Sequence, residues 1–276
     1  MQAVRNQFLD ELAQAGQQPD LARAALLMAQ YLTHPFSMAP YLQMLDDIAA
    51  SVANEVRRAP DDAGKIALLN ECLFNEYNFS GNRQAYYNPD NSLLHRVLET
   101  GKGIPITLSL VYMEIGARLK LPVWGVGIPR HFIVGYGSPA NPVFIDVFNR
   151  GKILSEADCL ELSQVSAAQL PNFRKRFLKP VSARSILFRM LANLKYIYVS
   201  KKNWEAAYKT VDLMLAVHPD QLTELKERGL LAHRLGRLHD AVIDLKRFLF
   251  LAPNHLDADW VERQIEELEA ELLRLN

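Results

Sequence analysis

A 34-residue internal period in the last third of the chain constrains the fold more than any other feature. Pro219 and Pro253 stand 34 residues apart, and the same offset relates Ala207 to Ala241, Leu191 to Leu225, Val211 to Leu245, Leu215 to Leu249 and Val217 to Leu251. Six matched pairs are too many for the chance register of an ordinary helical hairpin bundle. The repeating unit this implies is two antiparallel helices. A small side chain (Ala207 or Ala241, and also Gly229) lets the helix backbones approach, and the proline stops the second helix before the next unit begins. Lys201-Lys202-Asn203 and Leu235-Gly236-Arg237 read as the inter-helix turns, and Leu256–Leu273 as an amphipathic capping helix.

A period of this length is that of tetratricopeptide repeats. Two units are fewer than such arrays normally need to stand alone, so the segment is expected to lean on a preceding domain. At 276 residues there is room for that domain. The segment offers either a groove for a protein or peptide or an intramolecular brace, and the sequence leaves both open.

The remainder has the texture of a mixed fold. The first hundred residues read as helical: one helix follows Pro19-Asp20 through Leu21–Ala29, a second follows Pro40 with Leu42, Leu45, Ile48 and Val52 at helical spacing, and a third runs over about 63–77. Asn78–Asn82 and Asn88–Ser92 are turn-rich, and the second cluster can cap a short helix over Leu93–Glu99. The strongest helix starts at Gly103 with Pro105 in its first turn and lines up Leu108, Val111, Tyr112, Ile115 and Leu119. Three short β-like runs follow, Val123–Ile128, His131–Tyr136 and Val143–Phe148, then a helix over Ser155–Ser163. The basic stretch around Pro171–Pro180 reads as a solvated linker rather than a phosphate site. The expected class is α+β: a helical region over 1–100 and a helix with a small antiparallel sheet over 103–151 within a domain ending near 170, a linker over 171–185, and an all-α repeat segment over 186–276.

Lysine plus arginine equals aspartate plus glutamate at 31 each, so there is no electrostatic footprint for nucleic acid or an anionic membrane. Two cysteines, Cys72 and Cys159, are too few for a disulfide scaffold and fit a reducing compartment. The N-terminus lacks the apolar stretch of a secretory signal, and no apolar run reaches the about 18 residues of a membrane span. A cytoplasmic protein is the expectation.

Three stretches carry a resemblance. They are Phe79-Ser80-Gly81-Asn82 with Tyr86-Tyr87-Asn88-Pro89-Asp90-Asn91-Ser92, then Gly103-Ile104-Pro105-Ile106-Thr107-Leu108-Ser109, then Pro129-Arg130-His131-Phe132 with Phe144-Ile145-Asp146-Val147-Phe148-Asn149-Arg150-Gly151. Together with the repeats, they resemble the SirB-type bacterial proteins, a transglutaminase-like domain followed by tetratricopeptide repeats. One departure is Arg130, where the residue before the histidine is commonly glycine. The resemblance implies a thiol nucleophile at a helix N-terminus, an imidazole on a following strand and a carboxylate that fixes its tautomer. His131 and Asp146 match the last two roles.

The thiol does not match. In typical transglutaminase-like enzymes it opens its helix about 17 residues before a turn that Pro122 occupies here, which lands on Pro105. Register slips would offer Thr107 or Ser109, hydroxyls that need a strong base to act as nucleophiles. Cys72 reads as a buried apolar side chain on an upstream helix, and a permuted dyad with Cys72 or Cys159 stays open. The pair His131 and Asp146 is therefore expected as a remnant, with Asn82, Tyr87, Asn91, Pro105 and Thr107 around the cleft. No metal or cofactor is expected. His34, His95, His218, His233, His239 and His255 form no metal-ligand pattern, and the glycines form no phosphate loop. The functional expectation is a non-catalytic regulatory or adaptor protein with a protein or peptide partner. A thiol acyl-transfer or amide-hydrolysing enzyme is the alternative.

Overall fold

The computed structural model describes residues 2–13, 19–165 and 172–275, and the chain divides into two compact units, 1–190 and 191–276. The boundary expected near residue 170 falls on 166–171, outside the described residues, as does Pro171 of the basic stretch.

The first unit opens with α1 (Gln2–Ala13) and α2 (Leu21–Leu32). Asp20 caps α2 by accepting the Arg23 N–H at 3.0 Å. Next come α3 (Ala39–Arg58) and α4 (Asp62–Glu71), the latter capped by Asp61. The helix expected over 63–77 does not run through. From Cys72 to Glu76 it widens into a π turn, closed by the Tyr77 N–H on the Cys72 carbonyl at 3.0 Å. Asn78 then turns left-handed at φ 56°, a conformation asparagine tolerates, and the chain leaves the helix axis there.

That exit feeds β1 (Ser80–Gly81), a short 3-10 turn (Pro89–Ser92), α5 (Leu94–Thr100) and β2 (Lys102–Gly103), with β1 and β2 parallel. Helix α6 (Pro105–Arg118) is the central element. Leu108, Leu110, Val111, Tyr112 and Ile115 are each 1% exposed or less. At about 1.5–3 kcal/mol for each large apolar side chain buried, this helix anchors the core.

The sheet is antiparallel in the order β3 (Val123–Ile128), β4 (His131–Tyr136), β5 (Val143–Asp146) and β6 (Lys152–Leu154). The last expected strand ends two residues early, because Val147–Asn149 folds into a 3-10 turn, and Gly151 opens a fourth strand rather than closing the sheet. Alternation divides the sheet. Phe132 and Gly125 face α6, where a Cβ on Gly125 would meet Phe132 at 2.8 Å and Met113 at 3.2 Å. Val126, Ile128, Ile133, Phe144 and Leu154 face the other way. They bury Cys159 of α7 (Glu156–Ser163), Phe173 of α8 (Phe173–Phe177) and Leu178. The division between the units lies inside α9 (Ala183–Ser200).

The second unit continues from Leu191 with α10 (Trp204–Val217), α11 (Leu222–Arg234), α12 (Leu238–Leu251) and α13 (Ala258–Leu275). The helices break at the turns and prolines that the 34-residue period marks. Ala207 and Ala241 are fully buried, and a Cβ on Gly229 would meet the Leu245 side chain at 2.9 Å. Small residues therefore set the close approach of α11 and α12. Arg228 ties three helices together, bonding Asp212 at 2.6 Å and both carboxylate oxygens of Asp244 at 2.7 Å.

Candidate functional site

His131 begins β4 and Asp146 ends β5. The ladder pairs Val134 with Ile145, and extending it by one residue sets Asp146 opposite Ile133. Since Ile133 and His131 share a face, His131 and Asp146 are diagonal neighbours on that face. The His131 Nε2 lies 3.0 Å from Asp146 Oδ1, with side-chain exposures of 12% and 1%. Asp146 also caps the following turn, Oδ1 accepting the Asn149 N–H at 3.2 Å and Oδ2 the Asn149 side-chain N–H at 2.6 Å. Burial pushes the Asp146 carboxyl up, but the bonds from His131 and Asn149 outweigh it and hold the group below the ordinary aspartate range.

The turn before His131 explains the departure at Arg130. This residue sits at φ 62°, left-handed backbone for which glycine has no steric penalty and arginine does. Arg189 braces the strand by donating to the His131 carbonyl at 2.7 Å, its guanidinium 5.6 Å from the Phe132 ring centroid.

Aromatic and cationic groups gather beside the pair. The Phe148 ring meets His131 edge-on at 6.2 Å and Tyr86 at 6.1 Å, and the Arg83 guanidinium lies 5.0 Å from the Phe148 centroid. Arg83 also donates to the Asn149 side chain. A Cβ on Gly81 would come within 2.4 Å of the Phe148 ring, so only glycine admits that ring. Tyr87 packs on Tyr86 at 5.3 Å and is 59% exposed.

The remaining cleft candidates hold the loop in place. Asn82 accepts the Ala85 N–H at 3.0 Å and donates to Asn91 at 3.0 Å. Asn91 is 2% exposed and its side chain donates to the carbonyls of Ala85 and Tyr86. Thr107, fully buried, caps α6 by accepting the Ile104 N–H at 3.1 Å. Pro105 is buried at the head of that helix. Tyr86, Phe148 and Asn149 lie in the stretches that carry the resemblance but not among the expected cleft residues, and Arg83 and Arg189 lie outside both. Asn149 could have been found as the partner of an Asp three residues earlier, an Asx-turn pattern. Nothing local marks Arg189, which is 58 residues from His131.

Neither thiol bonds to His131. Cys72 is 1% exposed and makes a 3.8 Å contact with the Ser51 hydroxyl; burial raises its pKa. Cys159 lies in the apolar cluster on the same sheet face as the pair. Burial, with the Asp158, Glu156 and Asp146 charges adding to it, pushes the Cys159 thiol up to about 12. Burial thus disfavours the thiolate, the reactive form, at both cysteines. Asp146 also borders a cavity of about 500 Å³ of mixed lining, with Asn149, Lys152, Leu154, Asp158 and Leu162. No group of three or more His, Cys, Asp and Glu side chains is arranged to hold a metal among the described residues.

Residues 39–192 match the transglutaminase-like superfamily, and residues 194–266 match a tetratricopeptide repeat family. A UPF0162 protein of Xylella fastidiosa strain Temecula1 is 34% identical over 213 residues, 76% of each chain. The chain belongs to the UPF0162 family. Another UPF0162 protein, from Vibrio cholerae, is 27% identical over 75% of this chain and 77% of its own. The human F-box only protein 21 is 31% identical over 61% of this chain, a match spanning 28% of that protein. A solved structure of menin covers 96% of this chain and 73% of its own at 12% identity, with a TM-score of 0.38, too low to bear on fold or function. This UPF0162 chain thus joins a transglutaminase-like core to C-terminal tetratricopeptide repeats, modules with a general capacity for protein binding. Among its described residues no helix is long and apolar enough to cross a membrane.

Proposed function

We propose that this protein is a non-catalytic, regulatory or adaptor member of the transglutaminase-like superfamily, acting in the cytoplasm through protein or peptide binding. The observation that carries the reading is the head of α6. Pro105 stands at that head, where the resemblance implies sulfur, and it is a buried imino acid with no group to deprotonate. Both thiols are buried, and His131 is bonded to Asp146 rather than to a nucleophile.

Support for binding comes from the repeats. A groove of about 530 Å³ is lined by Tyr196, Val199, Trp204, Leu230, Leu231 and Arg234, with the Arg234 guanidinium 4.7 Å from the Trp204 ring centroid. A volume of that size suits apolar anchor side chains of a peptide.

A second reading, a thiol enzyme with a displaced nucleophile, is favoured by one observation: Cys159 shares the sheet face of His131 and Asp146 and feels the Asp146 charge. Treatment of the native protein with iodoacetamide at neutral pH separates the two. The adaptor reading expects neither cysteine to be labelled appreciably before unfolding, with no difference in a His131→Ala variant. Rapid labelling of Cys159 that His131→Ala abolishes would establish the enzyme instead.

A further inference from the structure

A second site lies away from the His131–Asp146 pair. Between the loop leading into α3 and helix α5 is a cavity of about 370 Å³ bordered by Phe36, Tyr41, Asp90, His95, Arg96 and Glu99. Three of these are rings in mutual contact. Phe36 stacks on His95 at 4.6 Å and 27°, and Tyr41 meets Phe36 edge-on at 5.3 Å and His95 at 5.8 Å. His34 approaches Phe36 from the rim at 6.3 Å.

The polar groups are unevenly matched. Arg96 pairs with Asp90 at 3.4 Å and with Glu99, and Tyr41 donates to Glu99 at 2.6 Å. One guanidinium faces two carboxylates, which leaves one negative charge in excess beside the rings. His95 is 4% exposed, and its Nδ1 has no hydrogen-bond partner. An orphaned polar atom at that depth costs about 1–3 kcal/mol. Burial lowers the His95 pKa, so the ring is neutral at pH 7 and offers one lone pair as well as one N–H.

Electron-rich ring faces, excess negative charge and a neutral imidazole all favour the same guest. We propose that this cavity binds a small organic cation, a guanidinium or alkylammonium group, against the Phe36, Tyr41 and His95 rings with Glu99 and Asp90 as counter-charges. The volume admits a free metabolite-sized molecule or a single basic side chain, not a folded partner.

The test uses the 276-residue chain with agmatine as the guanidinium probe, n-butylamine as the ammonium probe and n-butylurea as a neutral comparator. Binding is read from the His95 ring proton shifts in NMR and from calorimetry. Both cations are expected to shift His95 saturably while n-butylurea does not. Glu99→Gln, which keeps an acceptor for Tyr41, and Asp90→Asn are each expected to weaken binding by about fivefold, the loss of about 1 kcal/mol of cation attraction. Unfolding midpoints of both variants show whether the fold is intact, and either folded variant suffices. The proposal is overturned if agmatine leaves His95 unmoved, if n-butylurea binds equally well, or if neutralising a carboxylate has no effect.

Discussion

The Thr107 hydroxyl donates to the Asn91 carbonyl at 2.6 Å while accepting the Ile104 N–H at 3.1 Å, joining the head of α6 to the loop that precedes α5. Asn91 in turn holds Asn82 and the carbonyls of Ala85 and Tyr86. Three of the five expected cleft residues are therefore fasteners. They place Arg83, Tyr86 and Tyr87 on a fixed loop, and Phe148 closes over Gly81 beneath it.

Thr107→Val should expose this role. The substitution keeps the shape and removes the hydroxyl partner of the buried Ile104 N–H and Asn91 carbonyl, which keep only the long 3.4 Å bond between them. Urea unfolding is expected to show a loss of about 1–3 kcal/mol, and Thr107→Ser should lose less because it restores the hydroxyl. Equal stability of Thr107→Val and the parent would mean that the cap is dispensable.

Acid should find Asp146. Its carboxyl titrates lower in the folded chain than the ordinary value of 3.8, so the folded state holds the ionised form more tightly than the unfolded state does. That stability is fully present above the unfolded carboxyl's titration and is lost as pH falls through the folded one. Denaturation midpoints measured from pH 6 to pH 2 should drop less steeply below about pH 4 for Asp146→Asn than for the parent. Identical slopes would show that the carboxyl titrates normally.

The repeats have their own test in Arg228. Its side chain is 17% exposed, and those of Asp212 and Asp244 are 10% and 4%. Arg228→Met leaves two carboxylates without their main counter-ion and should cost about 3–5 kcal/mol by chemical denaturation. Replacing all three together (Arg228→Met, Asp212→Leu, Asp244→Leu) should recover most of the loss, since apolar residues of similar volume pack without a desolvation penalty. A triple variant as unstable as the single one would show that the ion pairs contribute more than they cost.

Much of the fold was legible because its signals are local. Asp20 and Ser155 cap their helices with their own side chains, Pro105 heads α6, and the 34-residue spacing of Pro219 and Pro253 locates the helix pairs of the second unit. The π turn at Cys72–Glu76 was hidden, since helix periodicity in Ile66, Leu69 and Leu73 continues into it without a break. So was β6, whose three residues are too few to show alternation.

By itself the sequence determined which chemistries are available: a proline at the helix head, two cysteines, a histidine and an aspartate 15 residues apart. Side-chain type fixes those limits whatever the fold. Only tertiary structure decided which groups meet. Strand parity brought His131 to Asp146, burial enclosed both thiols, and packing of α3 and the loop before it against α5 gathered Phe36, Tyr41 and His95 around a charge imbalance. Those outcomes depend on distance and desolvation between residues far apart in the chain, which no local pattern encodes.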